Sequence, residues 1–335
     1  MFDVNQTFNI NITFDQRAMM KVQLIMSTNF NTLIDDLKSS FKLAKDNALS
    51  YFLANLGMLV LVAILFAIVA IPIGLIAFAA TLQAGPQFWI QFGQDMTLFA
   101  QNNPLLVGGV GILFMIPIIA LFLIVVGSIY GMSKEVVETG ETKAESAFSW
   151  FRHKFLTFAG AGVMLTLIII VPQLLVWGAA SLALGPNITY PANVPLTIFS
   201  WIYSYITVGF CAMVFPSITA GNKVQDAFKE SFNLAKTRFD RVFGLLTAVI
   251  VLFLVMFAPA IIGGIVASFT MNPPPATLPL ELIPLVAVIG GWSVIAVILW
   301  LVLLLPMTII AFQKVYAELT GGKIATEQSP DIPLV

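Results

Sequence analysis

The sequence predicts an all-α polytopic membrane protein. Six transmembrane helices form three parallel two-span repeats, each led by an interfacial amphipathic helix on the cytoplasmic side. Three observations predict it. The 335 residues are 59% apolar and only 10% charged, with a mean hydropathy of +0.95, whereas soluble chains run near a quarter charged. The apolar residues gather into six charge-free runs, each longer than the ~20 residues that cross a bilayer. The basic residues are confined to alternate connections. A β-barrel is excluded, because its strands would alternate apolar with polar residues.

The runs are 52–80, 104–132, 155–184, 194–220, 242–269 and 282–312. All sixteen Lys and Arg lie before the first run, between runs two and three, between runs four and five, or after the sixth. Short loops rich in Lys and Arg stay inside, so both termini are expected in the cytoplasm and the chain is expected as a multi-pass protein of the cell membrane. Acids accompany the bases, with only Asp95 and Glu281 on the outer side. The inner face is therefore charged but nearly neutral. No short apolar signal region precedes the first span, which is expected to direct insertion itself. The lone cysteine, Cys211, allows no internal disulfide.

The elements follow in order. Residues 1–30 alternate apolar with polar at TFNINITF and MKVQLIM, the pattern of a β-hairpin. Unit one covers 31–133, unit two 134–221 and unit three 222–319, with a tail at 320–335. In 226–246, DAFKESFNLAKTRFDRVFGLL, the apolar stripe of Phe228, Ser231/Phe232, Ala235, Phe239, Val242/Phe243 and Leu246 recurs by threes and fours. They predict one amphipathic helix running straight into span five, with Lys229, Glu230, Lys236, Arg238 and Arg241 facing away from the apolar stripe. Thr142 with Glu145 has capping-box spacing, and Thr32 with Asp35 a looser version. In the outer connection 81–103, Phe88, Trp89, Phe92, Met96 and Phe99 predict a short interfacial helix. The outer loops 185–195 and 271–284 are Pro-rich, and Asn187 opens a glycosylation sequon.

The repeat rests on SFKLAK (40–45) against SFNLAK (231–236), which aligns Asp35 with Asp226 and Lys38 with Lys229. A weaker middle copy begins at ESAFSWFRHKF (145–155). Pro72, Pro172 and Pro259 recur in the first span of each unit, and Pro117, Pro216 and Pro306 in the second. Each proline removes a backbone hydrogen bond. They fit either spans curved around a shared core or a set of hinges. Two spans per unit give all copies the same orientation.

Chemistry is sparse. The six runs contain no ionisable side chain, the usual mark of a proton or ion path. Asn55, Gln173, Tyr203 and Tyr205 are the polar residues that a cavity among the hairpins would use. Gln173 is expected to bond the carbonyl that Pro172 frees, or a neighbouring helix. His153, the only histidine, sits between Arg152 and Lys154, which disfavours metal binding. No phosphate loop, HExxH or nucleophile elbow occurs. Gly108, Gly109 and Gly111 read as close helix packing. No enzyme activity, cofactor or nucleic-acid partner is expected. Lys38, Lys42, Lys45, Arg152, Lys154, Lys229, Lys236, Arg238 and Arg241 form the expected cytoplasmic interface, serving either as anchors or as a surface for membrane lipid or a protein partner. The N-terminal hairpin is a second docking element.

The motifs DDLKSSFKLAK and DAFKESFNLAKTRFDRVFGLL, each followed by an apolar span, resemble prokaryotic six-span membrane proteins related to the membrane domain of glycerophosphoryl diester phosphodiesterases. The resemblance covers 30–320 and implies the architecture and a cytoplasmic-membrane location. In the enzymes of that group a separate soluble domain carries the catalytic His, Glu, Asp and metal, so hydrolysis is not implied for a chain with one histidine. The expected function is a non-catalytic membrane scaffold or accessory subunit. The alternative is a transporter or lipid-handling protein with an uncharged cavity.

Overall fold

The computed structural model describes residues 31–85, 87–185, 188, 191–270, 283–322 and 324. The hairpin expected over 1–30, the Asn187 sequon, most of the 271–284 loop and most of the tail lie outside them. Among the described residues the fold is all-helical, 92% helix, with no strands. Helix α1 covers 31–46. It is followed by α2 (Ala48–Ala84), α3 (Gln87–Asn102), α4 (Pro104–Thr139), α5 (Ala144–Ile169) and α6 (Val171–Leu184). Then come α7 (Asn193–Cys211), α8 (Val214–Ala220), α9 (Val224–Thr237), α10 (Phe239–Thr270) and α11 (Ile283–Leu299). A π-helical turn, Trp300–Leu304, joins α11 to α12 (Leu305–Thr320).

Six helical stretches are long and apolar enough to cross a membrane: Ala48–Gln83, Gly109–Thr139, Ala144–Leu184, Asn193–Ala220, Phe239–Val266 and Ala287–Thr320. Each contains most of a charge-free run. The helices overshoot the runs at one end, so that Lys134, Glu135 and Glu138 ride on α4, and Lys314 and Glu318 on α12.

The core lies at this charged end. There α4, α8 and α12 pack on one another, with α5 against α4. Tyr130 stacks on Phe215 at 5.5 Å, and Met132, Val136, Ile218 and Ile310 are fully or almost fully buried. Glycines set the closest approaches. A Cβ on Gly131 would fall into the Trp150 ring, one on Gly127 into the Phe158 ring, and one on Gly162 would meet the Ala120 backbone at 3.1 Å. Gly127 and Gly131 thus form a GxxxG groove on α4 that admits two aromatic rings of α5. By contrast, a Cβ on Gly109 or Gly111 would meet nothing within 4 Å. The close packing expected at those two is absent.

Three further expectations change. Helix α9 ends at Thr237, and Arg238, at φ −127°, ψ 46°, separates it from α10; 226–246 is two helices. Around 144–155 the opposite holds, because α5 runs unbroken from Ala144 into the span. Lys143 is the residue at its N-cap, and it makes no side-chain cap bond. Thr142 Oγ1 instead donates to Glu135 Oε2 at 3.2 Å, so no capping box forms; Thr32 lies within α1.

The prolines act unequally. Pro72, Pro117 and Pro259 stay inside α2, α4 and α10, while Pro172, Pro216 and Pro306 follow interruptions directly. Helices α4, α8 and α12 each end on a left-handed glycine, Gly140, Gly221 and Gly321, whose N–H returns to a carbonyl of the last turn.

Candidate functional site

The charged end concentrates the polar chemistry, and an inward-turned acid organises each part of it. Asp36, nearly buried on α1, pairs with Arg241 of α10 at 2.9 Å and with Lys314 of α12 at 3.4 Å. Arg241 also pairs with Glu318 of α12, and Lys314 Nζ donates to Ser39 Oγ at 2.7 Å. This network ties the first described helix to the last. Arg241 was expected to face away from the bundle, but its side chain is only 13% exposed.

Glu230 of α9, also expected to face away, is the second hub. Its Oε2 accepts from Asn222 Nδ2 at 2.6 Å, from the Tyr316 hydroxyl at 2.9 Å and from Ser217 Oγ. Glu135 is the third, accepting from Trp150 Nε1 at 3.0 Å as well as from Thr142. Beside it, Asn47, the single residue between α1 and α2, donates to the Gly140 carbonyl and accepts from Thr142 N–H, each at 3.0 Å. Lys134 Nζ reaches the Thr219 carbonyl at 3.2 Å, and Thr219 meets the buried Gln313.

The outward side differs in kind. Lys38, Lys42, Lys45, Arg152, Lys229, Lys236 and Arg238 are exposed, and Lys154 is half-buried. Among them stand Phe41, Phe148, Phe232 and Phe239, the last two 53% and 57% exposed. His153 is exposed, its Nδ1 bonded to the Ser149 carbonyl at 2.8 Å. Among the described residues no group of three His, Cys, Asp or Glu could hold a metal ion.

Of the four polar residues singled out within the spans, Gln173 and Tyr203 meet adjacent carbonyls of α5, while Asn55 and Tyr205 bond other helices. Asn55 Nδ2 donates to the Leu301 carbonyl at 2.9 Å. Gln173 Nε2 donates to the Ile169 carbonyl at 2.8 Å and to Ser204 Oγ at 3.0 Å, and one turn on Trp177 Nε1 donates to Ser200 Oγ. It is Tyr203, not Gln173, whose hydroxyl takes the Ile168 carbonyl, at 2.6 Å. That carbonyl stands four residues before Pro172 and lacks its regular N–H partner. Tyr205 shares a 2.8 Å hydrogen bond with Thr247 across α7 and α10.

Sequence reasoning placed Ser231 on the apolar stripe of α9, where it is fully buried, but gave it no role. Its Oγ accepts from Met213 N–H at 3.1 Å and donates to the Phe210 carbonyl at 2.7 Å. It thereby splices the break between α7 and α8 that precedes Pro216. A serine on the small-residue face of an amphipathic helix was the available signal. No family model, curated protein or solved structure matches the chain.

Proposed function

We propose that the chain is a non-catalytic integral membrane scaffold. Three two-span units are locked together at the cytoplasmic end into a fixed platform, whose outward face meets membrane lipid and a protein partner. The observation that carries this reading is the division of side chains on α1, α5 and α9. Asp36, Ser40 and Ala44 of α1, Ala147 of α5, and Ala227, Glu230, Ser231 and Ala235 of α9 turn inward to join units, while Lys38, Phe41 and Lys45, then Phe148 and Arg152, then Lys229, Phe232 and Lys236 turn out.

The three-unit repeat draws support from burial. In the alignment of 40–45 with 231–236, the buried residues are Ser40 and Ser231, then Ala44 and Ala235, while Phe41, Phe232, Lys45 and Lys236 are all exposed. One turn earlier Asp36 aligns with Ala227, and Ala147 is the counterpart in the middle copy; all three are buried. The returning helices share left-handed caps at Gly140, Gly221 and Gly321. Pro72 and Pro172 each stand thirteen residues before a positive-φ glycine, Gly85 and Gly185. The platform reading is favoured over transport because Asn55, Gln173, Tyr203 and Tyr205 each have their polar groups taken by a neighbouring helix, and the four do not converge on one common space.

The test is recovery of the full chain from its native membranes in polymer-bounded discs. A protein partner at fixed stoichiometry, lost when Lys38, Lys42 and Lys45 are changed to Glu in a chain of unchanged thermal stability, is the expected result. A chain recovered alone that also carries neutral solutes into liposomes overturns it.

A further inference from the structure

An aromatic chain runs along the seam between α7 and α10 at the charged end. Phe232 of α9 stacks on Phe210 of α7 with centroids 4.7 Å apart. Phe210 meets Phe243 of α10 edge-on at 5.7 Å, Tyr205 packs on Phe243 at 5.6 Å, and Phe239 stacks on Phe243 at 4.2 Å. Gly209 makes room, since a Cβ there would enter the Phe243 ring. Only Phe243 is buried; Tyr205 and Phe210 are half-buried, and Phe232 and Phe239 exposed. Below the aromatics the same seam is flanked by the exposed apolar side chains Ile202, Ile206, Val251 and Leu254.

Directly above stand cations. Lys236 lies in the last turn of α9, and Arg238 at the break into α10; both are exposed. Lys229 on α9 and Lys223 at its N-cap are exposed as well. Three acids share this stretch, and Glu230 is turned inward onto Ser217, Asn222 and Tyr316. Asp226 and Asp240 remain against four bases. The near-neutrality of the sequence is therefore not the character of this surface, which carries an excess of positive charge beside exposed aromatic and aliphatic side chains. That combination matches a ligand with an anionic head and an apolar tail.

We propose that the α7–α10 seam binds an anionic phospholipid of the leaflet at the charged end, its phosphate on Lys236 and Arg238 and an acyl chain along Tyr205, Phe210 and Phe239. Phe239 and Phe232 bracket the glycerol region, where aromatic rings sit well between water and hydrocarbon. The proposal rests on the platform reading for the placement of these residues at the headgroup boundary. Capture of a protein partner reports on that reading, and lipid selectivity reports on this one.

Native mass spectrometry of the full chain in detergent, titrated with phosphatidylglycerol or phosphatidylcholine, tests it. Phosphatidylglycerol is expected to bind more tightly, and K236Q/R238Q to weaken it by about 30-fold at low salt, two basic contacts being removed. Phosphatidylcholine binding is expected to be unchanged, and the charge-matched control K143E, at the exposed residue before α5, to keep wild-type selectivity. Equal binding of the two lipids by the wild-type chain, or an equal loss from K236Q/R238Q and K143E, overturns the site. A second measurement needs no variant: a photoactivatable phosphatidylglycerol is expected to crosslink within 202–243, and crosslinks confined to other helices overturn the assignment.

Discussion

The Asn55 side-chain amide donates to the Leu301 carbonyl at 2.9 Å, across 246 positions of sequence. The carbonyl is accessible for a specific reason. In the π-helical turn, Leu305 N–H reaches back five residues to the Trp300 carbonyl. The same register assigns Leu301 to residue 306, which is a proline with no N–H to give. A helix facing lipid cannot hand such a carbonyl to water, so a side chain from α2 supplies the donor. Tyr203 does the same for Ile168 and Pro172.

Replacing Asn55 by Leu is therefore expected to destabilise the protein by about 1 kcal/mol, the scale of interhelical hydrogen bonds in membranes. Pro306→Ala restores an N–H to the last helix. The double variant N55L/P306A is thus expected to lose less than the sum of the single losses. Denaturant titration in mixed micelles measures the cycle; strict additivity would show that Pro306 has no part in exposing the carbonyl.

Tyr203→Phe removes one hydroxyl and leaves the ring stacked on Phe199 at 5.6 Å. The expected loss is again about 1 kcal/mol, with P172A as the suppressor. Gln173→Leu breaks the bond to Ser204 but leaves the Ile168 carbonyl covered. A suppression of Q173L by P172A as large as that of Y203F would contradict the assignment of Tyr203 as the donor for the proline site.

How much of this was legible turns on what each signal depends on. The spans were readable because absence of charge over a long run is local. The inner acids were not. Arg241 was assigned to the outward face by carrying the period of three and four through 238, and a helix break there resets the phase of everything after it. Thr142 and Glu145 had capping-box spacing, but the Thr142 hydroxyl is taken by Glu135 on the preceding helix, a competitor that spacing cannot reveal. Among glycines, the run at 108–111 drew the eye by density. The pair that packs, Gly127 and Gly131, was marked by spacing instead: one helical turn apart, so that both point the same way. The polar contacts of Asn55 and Lys314 join positions hundreds of residues apart and leave no trace in a local pattern.

The glycine groove gives a sharper test than its hydrogen bonds. Gly131→Leu would place a side chain inside the Trp150 ring, forcing α4 and α5 apart. Overpacking of this kind costs about 1–3 kcal/mol, and loss of the Trp150–Glu135 bond accompanies it. Gly109→Leu, where a Cβ meets no neighbour within 4 Å, is expected to be near neutral. Thermal unfolding in detergent ranks the two, and equal effects would remove the groove from the packing account.

The ion network at Asp36 separates two kinds of charge pair. Asp36 is 4% exposed and faces both Arg241 and Lys314, whereas Glu318 is 29% exposed and shares the same cations. Removing the buried partner strands two cations that are themselves only 13% and 18% exposed, so D36A is expected to cost more than E318A, by about 1–2 kcal/mol. The difference is expected to persist in high salt because the buried pair is little screened. If E318A proves the more damaging, the clasp between α1 and α12 is organised from α12 instead.

Orientation can be settled with the chain's own chemistry. Cys211 is the one cysteine, so C211S gives a background in which each introduced thiol is unique. From the distribution of Lys and Arg, residues 45, 139 and 236 are expected on the cytoplasmic side and residue 95, on α3, on the other. K45C, T139C and K236C all fall on exposed positions and are expected to react with an impermeant maleimide only after the membrane is opened. D95C, also exposed, is expected to react in intact cells. Three independent sites guard against one thiol being shielded by a partner or by lipid. Labelling of the three in intact cells would invert the topology and move the platform to the outer face. Labelling of only one of the three would instead separate the units, since parallel repeats require that all their charged ends share a side.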